Sequence, residues 1–247
     1  MSPTPPSTTP NTLANKIILV TGASGGIGRC AALTFAQLGA SVILLGRNLK
    51  KLEAVYDAIE AAGGPQPAIY ELNLQTATPH QYENLAAAME AEFGRIDGVL
   101  HNAAELGKLT SLQQYSPEVW QRVMQVNVTA PFLLTRALLP LLQKSTAGRL
   151  VFTGSGVGRK GRAYWGAYAV SKAATENLMQ VWADELENTP IRVNSINPGA
   201  TRTAMRAGAY PAENPLHLKT PEDIMPTYVY LFGEESSAVH GQQIDAQ

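Results

Sequence analysis

The sequence predicts an α/β fold: a doubly wound parallel sheet of about seven strands flanked by helices. Three observations carry this. From Lys16 onward, short β-branched runs alternate with longer stretches of helical spacing, the pattern of successive βαβ units. The strand runs are continuously apolar, as strands covered on both faces are. Neither a fixed-period repeat nor a linker interrupts the series, so residues 15–247 read as one domain behind an expected disordered tail over residues 1–14.

Ile17 to Val20 forms the first strand, and the segment from Gly26 to Leu38 is helical until Gly39 stops it. Ser41 to Leu45 is the second strand, and a helix from Leu49 to Ala62 ends at Gly63 and Gly64. Ala68 to Leu72 is the third strand. The helix Pro79 to Phe93 follows, with proline suited to its first turn. Val99 and Leu100 make a short fourth strand. Ser116-Pro117-Glu118 opens a long helical stretch toward Leu142, because Ser caps, Pro fits the first helical position and Glu favours the positive end. Arg149 to Thr153 is the fifth strand, Tyr164 to Leu186 a helix, Ile191 to Ile196 the sixth strand and Pro221 to Phe232 a helix. Gln242 to Ile244 supplies a seventh strand.

Composition narrows the function. The net charge of −1 offers no single-signed field for nucleic acid or an anionic membrane surface. No apolar run reaches the length of a membrane span, since Phe132 to Leu142 is interrupted by Thr135, Arg136 and Pro140. The Pro-rich N-terminus lacks the basic-then-apolar order of a signal peptide. Cys30 is the only cysteine, which excludes an intrachain disulfide and fits a cytoplasmic setting. Charged residues are 16% of the chain against about 25% in an average domain, which points to a covered subunit face. His80, His217 and His240 have no metal-ligand spacing and read as surface residues; no metal is expected.

In doubly wound sheets ligands bind beyond the carboxyl ends of the strands. After the first strand comes Thr21-Gly22-Ala23-Ser24-Gly25-Gly26-Ile27-Gly28, a glycine loop opening a helix whose free N–H groups favour a pyrophosphate. No Gly-Lys-Ser/Thr follows, so it is not a Walker loop. The second strand ends Leu45-Gly46-Arg47-Asn48, where an NAD enzyme would carry a carboxylate for the ribose diol. Arg47 there favours a 2′-phosphate, hence NADP over NAD. Tyr168 and Lys172 share one helix face, preceded by Ser155 at the end of the fifth strand. For Tyr168 to ionise near neutrality its pKa must fall from about 10 by roughly 3 units, about 4 kcal/mol. Lys172 and a cationic nicotinamide ring are the expected sources.

Thr21-Gly22-x-x-x-Gly26-x-Gly28, His101-Asn102-Ala103-Ala104, Asn127, Ser155, Tyr168-x-x-x-Lys172 and Asn197-Pro198-Gly199 stand in the order of one family. With these motifs the chain resembles the short-chain dehydrogenase/reductase family from Lys16 to its end, looking closest to the YciK-type branch over 151–162 and 198–207. The resemblance implies a Rossmann-type subunit, NAD(P)-dependent interconversion of carbonyl and alcohol, and a homodimer or homotetramer built on the long helices. It makes Tyr168 the general acid in reduction, Ser155 the residue that orients the carbonyl oxygen, and Lys172 the holder of the nicotinamide ribose. Asn127 is then the support of a proton relay. The implied cofactor contacts are Gly22, Ser24, Gly25, Gly26, Ile27 and Gly28 in the loop, Arg47, Asn48, Asn73, Leu74, Asn102 and Ala103 on the adenosine side, and Tyr168, Lys172, Pro198, Gly199, Thr201 and Thr203 at the nicotinamide end.

Three departures from the family pattern matter. His101 stands in place of an Asn and Ala104 in place of a Gly, which predicts altered packing without loss of binding. Asn73-Leu74 stands where an Asp is frequent, and Ile244-Asp245-Ala246-Gln247 replaces a frequent Asp-Gly-Gly, leaving open any interface role for these residues. A variable substrate loop spans about 204–219. Arg206 there, with Arg159, Lys160 and Arg162, raises the expectation of an anionic group on the substrate, with solvated basic residues as the alternative. Two other functions share such a fold: a non-catalytic NADP(H) sensor, which has no need of Asn127, Ser155, Tyr168 and Lys172 together, and a sugar-nucleotide epimerase, which would carry a further substrate domain.

Overall fold

Apolar runs without polar alternation can only be satisfied between two layers of helices, and the chain builds that arrangement in a computed structural model that describes residues 12–247. The strands are β1 (Ile17–Thr21), β2 (Ser41–Gly46), β3 (Ala68–Glu71), β4 (Gly98–His101), β5 (Arg149–Thr153), β6 (Arg192–Asn197) and β7 (Gln243–Asp245). All are parallel, in the order β3-β2-β1-β4-β5-β6-β7. The helices are α1 (Gly26–Gln37), α2 (Leu49–Ala61), α3 (Pro79–Phe93), α4 (Pro117–Met124), α5 (Ala130–Leu142), α6 (Gly156–Arg159), α7 (Gly166–Glu185), α8 (Ala204–Ala209) and α9 (Pro221–Phe232).

Successive strand residues face opposite layers. Ile18, Val20, Val42 and Leu44 pack with Phe35 of α1, Leu52 of α2 and Tyr228 of α9. Leu19, Ile43 and Leu45 pack with Leu85 of α3, Leu134 of α5 and Met179 of α7. Close packing of α9 on the sheet depends on Gly98, where a methyl would lie 2.7 Å from the Phe232 ring. The foot of the sheet is tied by buried Asp97, which accepts from the Ile17 N–H at 3.0 Å, from Ser145 Oγ at 2.6 Å and from Arg95 Nε at 3.1 Å.

Several boundaries differ from the sequence expectation. The long helix expected over 116–142 is three pieces, because residues 125–129 form a π-helical turn between α4 and α5; one extra residue in a turn leaves no mark on apolar spacing. The helix expected from Tyr164 starts at Gly166, since Tyr164 has a φ of 73° and cannot join it. β6 and β7 are each displaced one residue toward the C-terminus. The expected tail, residues 1–14, lies mostly outside the described residues, but its end is folded: Leu13 is fully buried and its N–H donates to the Leu38 carbonyl at 2.9 Å. The Pro-rich composition stops two residues short of that anchor.

His240 is not a surface residue. Its Nδ1 accepts from the Val193 N–H at 3.2 Å and its Nε2 meets the Ala183 carbonyl at 2.7 Å, joining β6 to α7. His101 is buried at the end of β4, stacked on Phe152 at 4.7 Å, with Nε2 2.8 Å from Thr135 Oγ1. Burial pulls its pKa down to about 3, so it is a neutral packing residue.

Gly28 sets how closely α1 approaches the sheet. A methyl there would overlap the Gly22 carbonyl oxygen and lie 2.6 Å from Asn102 Nδ2. The oxygen belongs to the backbone and the amide is tethered, so neither can give way easily. Gly28→Ala is therefore expected to lower stability by about 1–3 kcal/mol, read as a shift of the urea midpoint at constant slope. An unchanged midpoint would show that α1 has slack in its packing.

Candidate active site

Strand order reverses direction between β1 and β4, which opens a crevice at their carboxyl ends. A cavity of about 440 Å³ lies there, reaching from Arg47 and Asn73 past the glycine loop to Ser155, Tyr168 and Trp165.

Thr21 closes β1 and organises both sides of the crevice. Its Oγ1 accepts from the Asn102 and Ala103 N–H groups at 2.9 and 3.0 Å and donates to the Leu100 carbonyl at 3.3 Å. Asn102 Nδ2 donates back to the Thr21 carbonyl at 3.3 Å. Sequence reasoning quoted Thr21 only as part of the motif and missed this anchor. Gly22 has a φ of 68°, and a methyl there would lie 3.0 Å from Ala103 Cα. Ser24, Gly25, Gly26 and Ile27 line the cavity where α1 begins. That helix has no side-chain cap and no acid in its first turn, so its free N–H groups are available to an anion. Gly28 lies behind this surface and shapes it without lining it.

On the β2–β3 side, Arg47, Asn73 and Leu74 line the cavity. Arg47 is exposed and makes no hydrogen bond or ion pair to any described residue. Asn48 goes elsewhere: its side chain accepts from the Lys51 N–H at 3.0 Å and caps α2. An Asn before a helix is as readily a cap as a ligand. Asn73 Oδ1 accepts from the Gln75 N–H at 3.1 Å, shaping its own loop.

At the other end, β5 runs out at Thr153 and Ser155 leads into α6, while α7 presents Tyr168 and Lys172 one turn apart. Ser155 and Tyr168 both line this end of the cavity, the serine hydroxyl near enough to lower the Tyr168 pKa. Lys172 is 3% exposed; its Nζ donates to the Thr153 carbonyl at 2.6 Å and lies 5.7 Å from the Tyr168 ring centre. Burial pushes the Tyr168 hydroxyl up to about 12, with the Ser155 bond opposing. Burial also pulls Lys172 down to about 8, with the Glu176 carboxylate opposing. Burial dominates the Tyr168 shift in the chain alone, and Lys172 is not among its causes there. Tyr168 rests as a neutral acid.

Asn127 sits in the π-turn, 2% exposed, behind the cavity wall and not in it. Its Oδ1 accepts from the Glu105 N–H at 2.7 Å, and its Nδ2 donates to the Glu105 carbonyl at 3.0 Å and to Ser171 Oγ at 2.9 Å. Glu176, one turn beyond Lys172, went unremarked in the sequence. It is 4% exposed, accepts from Ser195 Oγ through Oε2, and has no partner at Oε1. Burial raises its pKa, opposed by the Ser195 bond, Arg159 and Lys172. Its i+4 spacing from Lys172 was the available signal.

Pro198, Gly199, Thr201 and Thr203 line the cavity from the β6 side. Gln247 Nε2 donates to the Pro198 carbonyl at 2.6 Å. Thr203 caps α8, accepting from the Arg206 N–H at 3.1 Å. The basic residues expected to meet an anionic substrate are largely spent on other partners. Arg159 pairs with Asp245 at 2.8 Å, Arg206 holds both Glu213 oxygens at 2.6 Å, and Lys160 and Arg162 are exposed and do not line the cavity. No group of three or more His, Cys, Asp or Glu among the described residues is placed to hold a metal ion, and no helix among them is long and apolar enough to cross a membrane.

Comparison with known proteins gives this geometry its context. Residues 16–214 match the family model for short chain dehydrogenases. The chain is 57% identical to the uncharacterised oxidoreductase YciK of Escherichia coli K12, over 95% of this chain and 93% of that protein. A short chain dehydrogenase from Shigella flexneri, solved in complex with NADP, superposes with a TM-score of 0.95 at 56% identity, covering 97% of this chain and 100% of that one. One from Escherichia coli CFT073, in complex with NADPH, also superposes at 0.95 with 56% identity, covering 98% and 100%. With its parallel sheet, its glycine loop at the strand switch and its Ser155–Tyr168–Lys172 cluster, the chain belongs to the short-chain dehydrogenase/reductase family of oxidoreductases.

Proposed function

We propose that this protein is an NADP(H)-dependent oxidoreductase that interconverts a carbonyl and an alcohol. The observation that carries the reading is the convergence of Ser155, Tyr168 and a buried Lys172 at one end of a cavity whose other end is an uncapped helix N-terminus. The residues present fit the cofactor. The cradle at Gly22 has no room for a side chain, the α1 N–H groups suit a pyrophosphate, and unpartnered Arg47 suits a 2′-phosphate. The two relatives solved with NADP and NADPH support the same choice. When bound, the nicotinamide supplies or accepts the hydride.

The chain's own residues handle the oxygen and its proton. Tyr168 gives a proton to the carbonyl oxygen in reduction, and Ser155 orients that oxygen by a hydrogen bond. Lys172, charged below about pH 8, stabilises the tyrosinate that remains. Asn127 keeps this wall in place through Ser171, the neighbour of Lys172, and we assign it the support of the proton relay. Asn102, Ala103, Asn73 and Leu74 border the adenosine side; Thr201 and Thr203, with Pro198 and Gly199, border the nicotinamide end.

We infer in addition a homodimer or homotetramer. Phe132 on α5 and Val170 and Val181 on α7 are 41–46% exposed, apolar area that a subunit contact would cover. A cytoplasmic location accords with a single free cysteine, Cys30.

Loss of NADPH absorbance with a panel of ketones, aldehydes and diketones is expected, and Tyr168→Phe should lower kcat/KM by about 10²–10⁴-fold with little change in NADPH affinity. The wild-type rate of reduction should fall as pH rises through about 8, where Lys172 loses its proton. Tight NADPH binding with no turnover of any compound would instead make the protein a sensor. NADPH should bind more tightly than NADH, and Arg47→Asp should flatten or reverse the difference; equal dissociation constants in the wild type would refute the assignment of Arg47. Sedimentation at micromolar concentration should show a dimer or tetramer, and a monomer would remove the subunit contact.

A further inference from the structure

The cavity is chemically lopsided. Among its lining residues only Arg47, Glu105, Lys172 and Arg206 carry charge. Arg47 stands at the end of β2, remote along the chain from the reacting tyrosine, and Lys172 is committed to the Thr153 carbonyl. Glu105 is paired with Arg122 at 3.2 Å. Arg206, the one remaining cation on the substrate loop side, is held by both oxygens of Glu213 and lies over the Tyr210 ring, its Cζ 3.9 Å from the ring centre. That pair occupies Nε and Nη2 and compensates the guanidinium charge, so a second carboxylate there would meet no net positive charge.

What surrounds Tyr168 is apolar and aromatic. Trp165 lies 5.7 Å from the Tyr168 ring and 6.0 Å from the Tyr210 ring, and Leu106, Met205 and Ala209 complete the lining on that side. The Glu213–Arg206–Tyr210 stack holds α8 against this wall, so the charges on the substrate loop serve to position an apolar surface.

Resting on the reductase reading above, we propose that the substrate is an uncharged, apolar carbonyl compound with a flat ring, an aryl or cycloalkyl ketone, seated against Trp165. Its carbonyl oxygen reaches Ser155 and Tyr168 while its ring replaces water on the Trp165, Leu106 and Met205 surface. A carboxylate-bearing substrate of the same size would desolvate its charge opposite a neutralised arginine and close to Glu105.

The test compares kcat/KM with NADPH for an aryl ketone and a cyclohexanone against ring-bearing α-keto acids of matched size, using the intact protein. The neutral ketones are expected to be at least ~100-fold better, a ratio consistent with leaving a charge without a partner. Glu213→Gln leaves the Arg206 charge uncompensated and should raise the ratio of keto-acid to ketone kcat/KM by roughly tenfold. Trp165→Ala should lower kcat/KM for the aryl ketone by roughly tenfold while the NADPH dissociation constant stays as it was. Both positions are partly exposed, so the variants should fold. Keto acids turned over on a par with ketones, or a Glu213→Gln ratio that does not move, overturn the inference and leave the reductase reading standing. No turnover of any carbonyl compound overturns that reading and this inference with it.

Discussion

Lys172 keeps an amino group where almost no water reaches, and much of the site is arranged around that fact. An ammonium buried without partners costs several kcal/mol. Two groups offset the cost: the Thr153 carbonyl, which accepts from Nζ, and the Glu176 carboxylate one helical turn away. Both demand space under the loop that bears Ser155. Gly158 supplies it on one side, where a methyl would lie 2.7 Å from the Lys172 backbone, and Gly154 on the other, where a methyl would overlap Glu176 Oε1. The glycines flanking the serine therefore do more than relax a turn. They let β5, α6 and α7 close around a charge, and Ser155 and Tyr168 are brought within hydrogen-bonding reach as a result.

The same sheet edge hosts opposite electrostatic conditions within one cavity. At the β1–β2 side stand an uncapped helix start and a solvent-facing Arg47 that no described residue pairs with. At the Trp165 side each charge has an internal partner. A low charge content makes this separation easier to maintain, because few carboxylates exist to stray toward Arg47. An elongated ligand that is anionic at one end and neutral at the other has only one favourable orientation in such a groove.

Strand positions and the residues just beyond them were legible because a parallel sheet writes both faces as apolar runs and puts ligands at the carboxyl ends. Gly22 and Ser155 were found on that rule, Asn102 and Pro198 through the family resemblance, and the structure brings all four to one cavity. What spacing could not show were choices of partner. Arg159 meets Asp245 across 86 residues of chain, and Arg206, although it lines the cavity, is paired with Glu213. Asn48 and Asn73 both follow strands, yet one is spent on capping α2 and the other faces the groove. The π-turn that carries Asn127 is equally silent in sequence, since one extra residue does not disturb an apolar stripe. Leu13 escaped notice because a proline-rich composition nearby says nothing about where burial resumes.

The pKa shifts of Tyr168 and Lys172 have one dominant cause, burial. A phenol and an amine in the same dry pocket respond to burial in opposite senses, since each is driven toward its neutral form. Tyr168 rises to about 12 and Lys172 falls to about 8, so the gap between the two groups inverts relative to water. A neutral phenol is the form that can give up a proton, and the chain reaches it at neutral pH without assistance. The dryness of the pocket, acting on each side chain separately, sets the resting state of both groups.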